Sequence, residues 1–377
     1  MSRNFGYPSF ARRFAANFPT WNYLLLQIFF WFISYLFLGA LARLVIFTVA
    51  PIQHVYLDWR GDLIIAAFLG FCTGVISGFL DQLLEKRFFI NKAIGVVLLI
   101  KVVIALFVFI ILISFVRYSI YPFLVRRFLK VENVITLEKS WEYFFQLLLI
   151  YNMVAGLLIS FINQVNKKFG PGVLLPLLLG RYRSPREEKR IFLFMDLRSS
   201  TRIAETLGHM KYSAFIRDSF MDINTMLSSY HAQVYQYVGD EIVITWTVRE
   251  GLQKLSCVQF FFACEEKFKE RSAHYIKHFG EVPEFKAGLH MGKVTVVEVG
   301  NIKRDIAYHG DTMNTAARIQ SVCNQYNKNF LTSKYVFENS EIEKYYYTES
   351  LGLIELKGKN QPVEVASIEN VRPLMNV

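Results

Sequence analysis

The chain has 377 residues, of which 53% are hydrophobic, 16% aromatic and only 19% charged, whereas soluble domains carry about 25% charged residues. A wholly soluble chain is therefore disfavoured, and intrinsic disorder is excluded. The net charge of +11 is uneven, with 16 Lys and Arg against 7 Asp and Glu in residues 1–180 and 26 against 24 beyond, so the basic excess flanks apolar runs as at a lipid surface and gives no support to nucleic-acid binding.

Four stretches are long and apolar enough to span a bilayer: Tyr23–Ala42, Leu63–Leu84, Ile94–Val116 and Phe144–Val165. The first is too far from the N-terminus and too long for a cleaved signal peptide. Four spans return the chain to its starting side, so a cytosolic C-terminal half puts both termini inside a cell membrane. Arg3, Arg12, Arg13, Lys86, Arg87, Lys92, Lys167 and Lys168 agree with that orientation. Arg117, Arg126, Arg127, Lys130 and Lys139 do not, and the loop 117–141 that carries them is expected to lie along the membrane surface. Gly70, Gly74 and Gly78 form a small-residue face in the second span, suited to packing within the bundle or to a dimer contact. Lys101, Asp81 and Asn163 are polar residues in or near spans, where an ionisable group is a functional candidate by default.

The expected organisation is a four-span helical membrane domain over 1–166, a linker over 167–185, an α+β domain over 186–370 and a tail over 371–377. An apolar run at Val173–Leu179 and the charged segment Arg181–Arg190 mark the boundary. Cys72, Cys257, Cys264 and Cys323 show no disulfide-framework or metal-ligand spacing, which fits a reducing compartment for the soluble half.

In that half, Arg190–Arg198 reads as a buried strand ending in an acid, followed by Ser199, Ser200 and Thr201 as cap-type residues of a helix reaching about Tyr230. Ala232–Val238 and Glu241–Val248 flank Gly239-Asp240, a hairpin signal. A second helix is expected over Arg249–Phe279. Strands at Phe285–His290 and Lys293–Val299 should turn at Gly292, and a third helix opens after Gly310. The order βαββαββα predicts helices on one face of a mostly antiparallel sheet.

Asp196 ends one strand and Asp240 tips the next hairpin, so neighbouring strands would bring both carboxylates to one edge. Two hard oxygen donors suit Mg²⁺ or Mn²⁺, and the N–H groups of Leu197, Arg198, Ser199, Ser200 and Thr201 at a helix N-terminus suit phosphates. A helix cap and an ordinary turn are the plainer explanation. Asn314 and Arg318, four residues apart, share a helix face on which an amide and a guanidinium could hold a ribose and a phosphoryl group, or simply meet solvent.

Taken together these segments resemble class III nucleotidyl cyclases, the adenylate and guanylate cyclase family. The likeness covers roughly Arg190–Glu369 through FMDLRSST, YVGDEIV, GDTMNTAARIQ and LKGKNQPVEV, in the family's order. It implies a ferredoxin-like core and a head-to-tail homodimer with two shared sites. Asp196 and Asp240, helped by the Leu197 carbonyl, would hold two metals. Asn314, Arg318 and Lys357 would come from the other chain, to orient the ribose, stabilise the α-phosphate and hold the outer phosphates. The implied reaction is two-metal attack of the ribose 3′-hydroxyl on the α-phosphorus of ATP, giving cyclic AMP and pyrophosphate in a signalling role.

The departures concern the purine. Where adenylate cyclases usually place Lys and Asp or Thr, and guanylate cyclases Glu and usually Cys, this chain has Gln236 and Ala307. The absent guanylate Glu favours ATP over GTP, with Thr312 or backbone supplying a base contact. A guanylate cyclase and a degenerate signalling module are the competing readings; a transporter and a diguanylate cyclase, which would need a GGDEF-like turn, have little support. The ligand or subunit sensed by the membrane domain is not legible.

Overall fold

The computed structural model describes residues 19–49, 59–87, 94–115, 117–118, 138–169, 180, 182–302, 304–338, 340–356, 359 and 361–370. It divides into two compact units, one of residues 18–174 and one of residues 1–17 and 175–377.

The first unit contains helices α1 (Pro19–Val49), α2 (Trp59–Arg87), α3 (Ile94–Phe115) and α4 (Glu138–Phe169). Each contains a stretch long and apolar enough to cross a membrane: Tyr23–Val45, Ala66–Leu83, Gly95–Phe115 and Phe145–Val165. Their outer faces keep Phe29, Phe37, Leu99 and Phe107 exposed, as a surface turned to hydrocarbon requires. Trp31, Tyr35, Leu69, Phe109 and Leu148 fill the interior. The small-residue face of α2 packs inside the bundle: a Cβ on Gly70 would lie 2.6 Å from Phe32 Cα, and one on Gly74 2.5 Å from Ile28 Cα. Glycine is needed there because α1 backbone occupies the space of any side chain. Residues 119–137 of the basic loop lie outside the described residues.

The second unit is an α+β domain whose eight strands run β2 (Gln233–Val238), β3 (Glu241–Thr247), β1 (Arg186–Leu197), β4 (Phe285–Val299), β6 (Phe330–Ser333), β8 (Val363–Glu369) and β7 (Tyr347–Ile354), with β5 (Asp305–His309) paired to β4. Among the described residues only β4 and β6 pair in parallel. β1 lies inside the sheet, between β3 and β4, for a chemical reason: Ile191–Met195 is an unbroken apolar run, buried on both faces.

Two corrections follow from this sheet. Gly292 is not a turn, since β4 continues through it to Val299. It stays in the strand because a Cβ would stand 2.5 Å from Thr312 Oγ1 on the helix above, and the reversal comes later, between β4 and β5. Nor do the helices share one face. Helices α5 (Ser200–Leu227), α7 (Ser256–Glu270) and α8 (Ser272–Phe279) cover Ile191, Leu193 and Met195, whereas α9 (Asp311–Ser321) packs on Phe192 and Phe194. Gly288 lets it approach, because Gln320 N and Ala316 O occupy the place of a Cβ.

The expected second helix is broken into α6 (Val248–Leu252), a 3-10 turn at Gln253–Leu255, α7 and α8. Lys254 (φ 53°) and Leu255 (φ 55°) are left-handed, which ends a right-handed helix locally. Short α10 (Lys334–Glu338) follows β6.

Candidate active site

The antiparallel register of β1 and β3 places Asp196 directly opposite Glu241. Paired Cα atoms lie about 4.5–5.5 Å apart, so Asp240, one residue earlier at the hairpin tip, reaches the same sheet end as Asp196. Gly239 (φ 62°) supplies the positive φ of that tip. The two acids predicted from spacing are thus brought together.

Groups from other elements surround them. Lys286 Nζ on β4 is 3.1 Å from Asp196 Oδ2, and Gln320 Nε2 on α9 donates to the same oxygen at 3.1 Å. The Tyr212 hydroxyl on α5 stands near Asp240 and Ser200, and burial first, then the charge of Asp240, push it above the usual tyrosine range. Burial first, and then the charges of Asp196 and Asp240, push Glu241 up to about 7 against the opposing pull of Lys286. Burial is the main cause, and the two neighbouring carboxylates add to it. Glu241, Lys286, Gln320 and Tyr212 were not found by sequence reasoning. Glu241 alone had a local signal, its place beside Asp240; the others depend on strand and helix docking.

Leu197 is buried, and its successor Arg198 is fixed twice. The Arg198 N–H donates to Glu284 O at 2.8 Å, and its Nη1 donates to Asn329 Oδ1 at 2.5 Å. Ser199 is left-handed (φ 54°), and its side chain does not cap α5. The first turn, opening at Ser200 and Thr201, therefore presents backbone donors without a side-chain cap, the arrangement that receives anions.

Asn314 and Arg318 are not brought to these acids within one chain. Gln320 faces Asp196, and at 100° per residue Arg318 points about 160–200° away from it. Asn314, on the Arg318 side, is exposed, and Arg318 has no ion pair among the described residues. Thr312 is 5% exposed and donates its hydroxyl to Lys293 O at 2.7 Å, so its side chain serves the α9–β4 contact. Lys357 lies outside the described residues; Lys359, two residues on, pairs with Asp311 at 2.9 Å.

Gln236 is exposed on β2, just past an irregularity at Tyr235, and Ala307 pairs with Val297. Their neighbours meet: the Tyr235 and Tyr308 rings are 4.9 Å apart, edge to face, and Tyr308 also meets Phe192 at 5.4 Å. This aromatic cluster ties β2 to β5.

The chemistry of the donor set fits a hard divalent cation. Among the described residues no group of three or more His, Cys, Asp or Glu is arranged around a metal position, but Mg²⁺ and Mn²⁺ commonly use only one or two carboxylates, with substrate phosphates completing the shell.

Comparison with known proteins gives the domain its family. The adenylate and guanylate cyclase catalytic domain family matches residues 183–368. Adenylate cyclase 2 of Rhizobium meliloti (strain 1021) is 34% identical over 220 residues, 58% of this chain and 61% of its own length. The adenylate cyclase of Anabaena cylindrica is 24% identical over 184 residues, 47% of this chain and 36% of its own. The crystal structure of the adenylyl cyclase CyaB from P. aeruginosa aligns with a TM-score of 0.45 at 19% identity, over 51% of this chain and all of that one. The chain spans less than two thirds of the length of these curated relatives. The domain at residues 183–368, which holds both acids and the uncapped helix turn, is a catalytic domain of the adenylate and guanylate cyclase family, the class III nucleotidyl cyclases.

Proposed function

We propose that the protein is a membrane-bound adenylate cyclase, forming cyclic AMP and pyrophosphate from ATP in signal transduction. The observation that carries this reading is the meeting of Asp196 and Asp240 beside the uncapped start of α5, in a domain of the cyclase family. Asp196, Asp240 and the Leu197 carbonyl would hold Mg²⁺ or Mn²⁺, two per site. Bound there, the cations neutralise phosphate charge and make the ribose 3′-hydroxyl more acidic.

The chain's own groups do the positioning. N–H groups of Ser199, Ser200 and Thr201 receive phosphate oxygens, with Arg198 beside them. Tyr212 stands beside the Asp240 carboxylate, while Gln320 orients that of Asp196 and Lys286 pairs with the same oxygen. Asn314 orients the ribose, and Arg318 meets charge on the α-phosphate as the 3′-oxygen attacks and pyrophosphate departs. Lys357 would hold the outer phosphates. Because the Asn314–Arg318 side of α9 is turned away from its own Asp196, we assign these two to a second copy, with active sites shared across a homodimer. Gln236 offers the purine both a donor and an acceptor; without a carboxylate there, adenine is favoured over guanine.

The four apolar helices support placement in the cell membrane, with lipid as a partner and with the catalytic domain and both termini cytoplasmic. The test supplies ATP and GTP separately with Mn²⁺ to full-length protein and quantifies both cyclic products. Cyclic AMP in excess supports the reading; cyclic GMP in excess moves the substrate to GTP, and neither product removes the activity. Mixing Asp240→Ala with Arg318→Ala chains should restore one working site per mixed dimer. Confirmed mixed dimers without activity would sink the shared site.

A further inference from the structure

The bundle encloses polar chemistry that the cyclase reaction does not use. Lys101 Nζ on α3 is 3.0 Å from Asp81 Oδ1 on α2, and the Tyr23 hydroxyl on α1 donates to Asp81 Oδ2 at 2.5 Å. Both oxygens of this carboxylate are thereby engaged. Beside the pair lies a cavity of about 30 Å³, lined by Gln27 and Trp31 of α1, Ser77 and Asp81 of α2, Lys101 of α3 and Ser160 of α4. All four helices contribute to one wall.

Gln27 is 1% exposed and Trp31 3%, and both line the cavity. Among the described residues, Gln27 Nε2 and Trp31 Nε1 are buried donors with no hydrogen-bond partner. An indole nitrogen can only donate, so at least the Trp31 requirement is independent of how the Gln27 amide is turned. Leaving such a donor unmatched in an apolar medium is costly. Two donors of the wall, the Gln27 amide and the Trp31 indole, are thus unmatched among the described residues, while the Asp81 carboxylate is already engaged by Lys101 and Tyr23 and the Ser77 and Ser160 hydroxyls can donate or accept.

We propose that this cavity is a binding site for one small monovalent anion of halide size, held by Gln27 Nε2, Trp31 Nε1 and the Lys101 ammonium. Volume sets the upper limit, because about 30 Å³ admits only one or two water-sized particles; a nucleotide is excluded. The two unmatched donors select an occupant that accepts. A halide only accepts and meets both, whereas water meets them only by also turning its own hydrogens to Ser77 or Ser160, and the two occupants are told apart below. Asp81 and Lys101 cancel at a distance, so short contacts to the three donors hold the ion and the affinity is modest. The site lies wholly within the four-helix unit, and its argument is independent of the catalytic reading.

The test uses full-length protein in lipid nanodiscs, with sodium bromide replacing sodium gluconate at constant ionic strength, and follows tryptophan emission. Exposed Trp21 gives collisional quenching that grows linearly with bromide. Occupancy beside Trp31 should add a component that saturates and is displaced by chloride. That component should vanish in Trp31→Phe and move at least tenfold to higher bromide in Gln27→Leu, which removes a donor but leaves the ion pair. Linear quenching of the wild-type protein would overturn the proposal, leaving a cavity that holds only water. A saturable component unchanged in both folded variants would overturn it as well. If Trp31→Phe fails to fold, the wild-type curve and Gln27→Leu still decide.

Discussion

Replacing Gly288 by Ala tests whether the seating of α9 on β4 sets the geometry of the proposed shared site. Gly288 is in register with Phe194 of β1 and Leu331 of β6. A Cβ there would stand 2.3 Å from Gln320 N, 2.4 Å from Ala316 O and 2.7 Å from Gln320 Cβ. Two of the three are backbone atoms, so no rotamer change relieves the clash. Non-bonded contact is comfortable at about 3.5–4.0 Å, so α9 must retreat by roughly 1 Å. The helix carries Asn314 and Arg318, and its Gln320 holds Asp196. A displacement of about 1 Å costs on the order of 10²-fold in rate, and overpacking costs about 1–3 kcal/mol of stability. The assay is the initial rate of cyclic nucleotide formation from ATP and Mn²⁺ by full-length protein. Gly95→Ala in α3 is the comparator, since nothing lies within 4 Å of a Cβ there. Gly288→Ala should lose about two orders of magnitude while Gly95→Ala stays at wild type. Wild-type turnover by Gly288→Ala would refute the reasoning.

Two other substitutions probe groups that the fold brings in. Tyr212→Phe deletes the hydroxyl that stands beside Asp240 and Ser200; turnover should fall about tenfold and half-saturation should need more Mn²⁺, and an unchanged metal titration would count against a positioning role. Glu265 on α7 is held up to about 7, first by burial and then by Glu266 and Glu284 against the pull of Lys269. With a folded value above the unfolded one, the native state binds the extra proton, so stability falls as pH rises from about 4.5 through 7. Glu265→Gln, which stays neutral, should melt with the wild type at pH 5 and above it at pH 8, by up to about 3 kcal/mol; equal melting at both pH values would show that Glu265 ionises freely.

Much of this architecture was readable because it rests on local chemistry. The four spans announce themselves by apolar length, and the β2–β3 hairpin by Gly239-Asp240 between two β-rich runs. Gly292 misled because a glycine between two strand-like segments signals a turn, whereas its reason is the Thr312 hydroxyl, 20 residues later in the chain. The left-handed residues Lys254 and Leu255 carry no such signal, since neither side chain favours positive φ, and so the break between α6 and α7 was invisible. The face taken by α9 was equally hidden. It depends on Gly288, whose small size has meaning only once the helix lies above it. At the site, the acids were legible one at a time, but the groups that hold them stand 90 and 124 residues from Asp196 and became visible only with the sheet formed.

Those holding groups make an argument about how the site meets a cation. Lys286 and Gln320 both approach Asp196 Oδ2, one charged and one neutral, so they should differ in sign. Gln320 orients the oxygen without changing its charge. Lys286, only 12% exposed at its side chain, places a positive charge where a divalent ion must also come close. At roughly 5 Å a unit charge opposes a divalent cation by about 1–2 kcal/mol even at the dielectric of water. Lys286→Met should therefore lower the Mn²⁺ concentration for half-maximal activity by about tenfold, while Gln320→Leu should raise it. The measurement is a Mn²⁺ titration of cyclic product formation at fixed ATP and fixed pH. A rise in the metal requirement of Lys286→Met would mean that the lysine aligns Asp196 rather than competing for it.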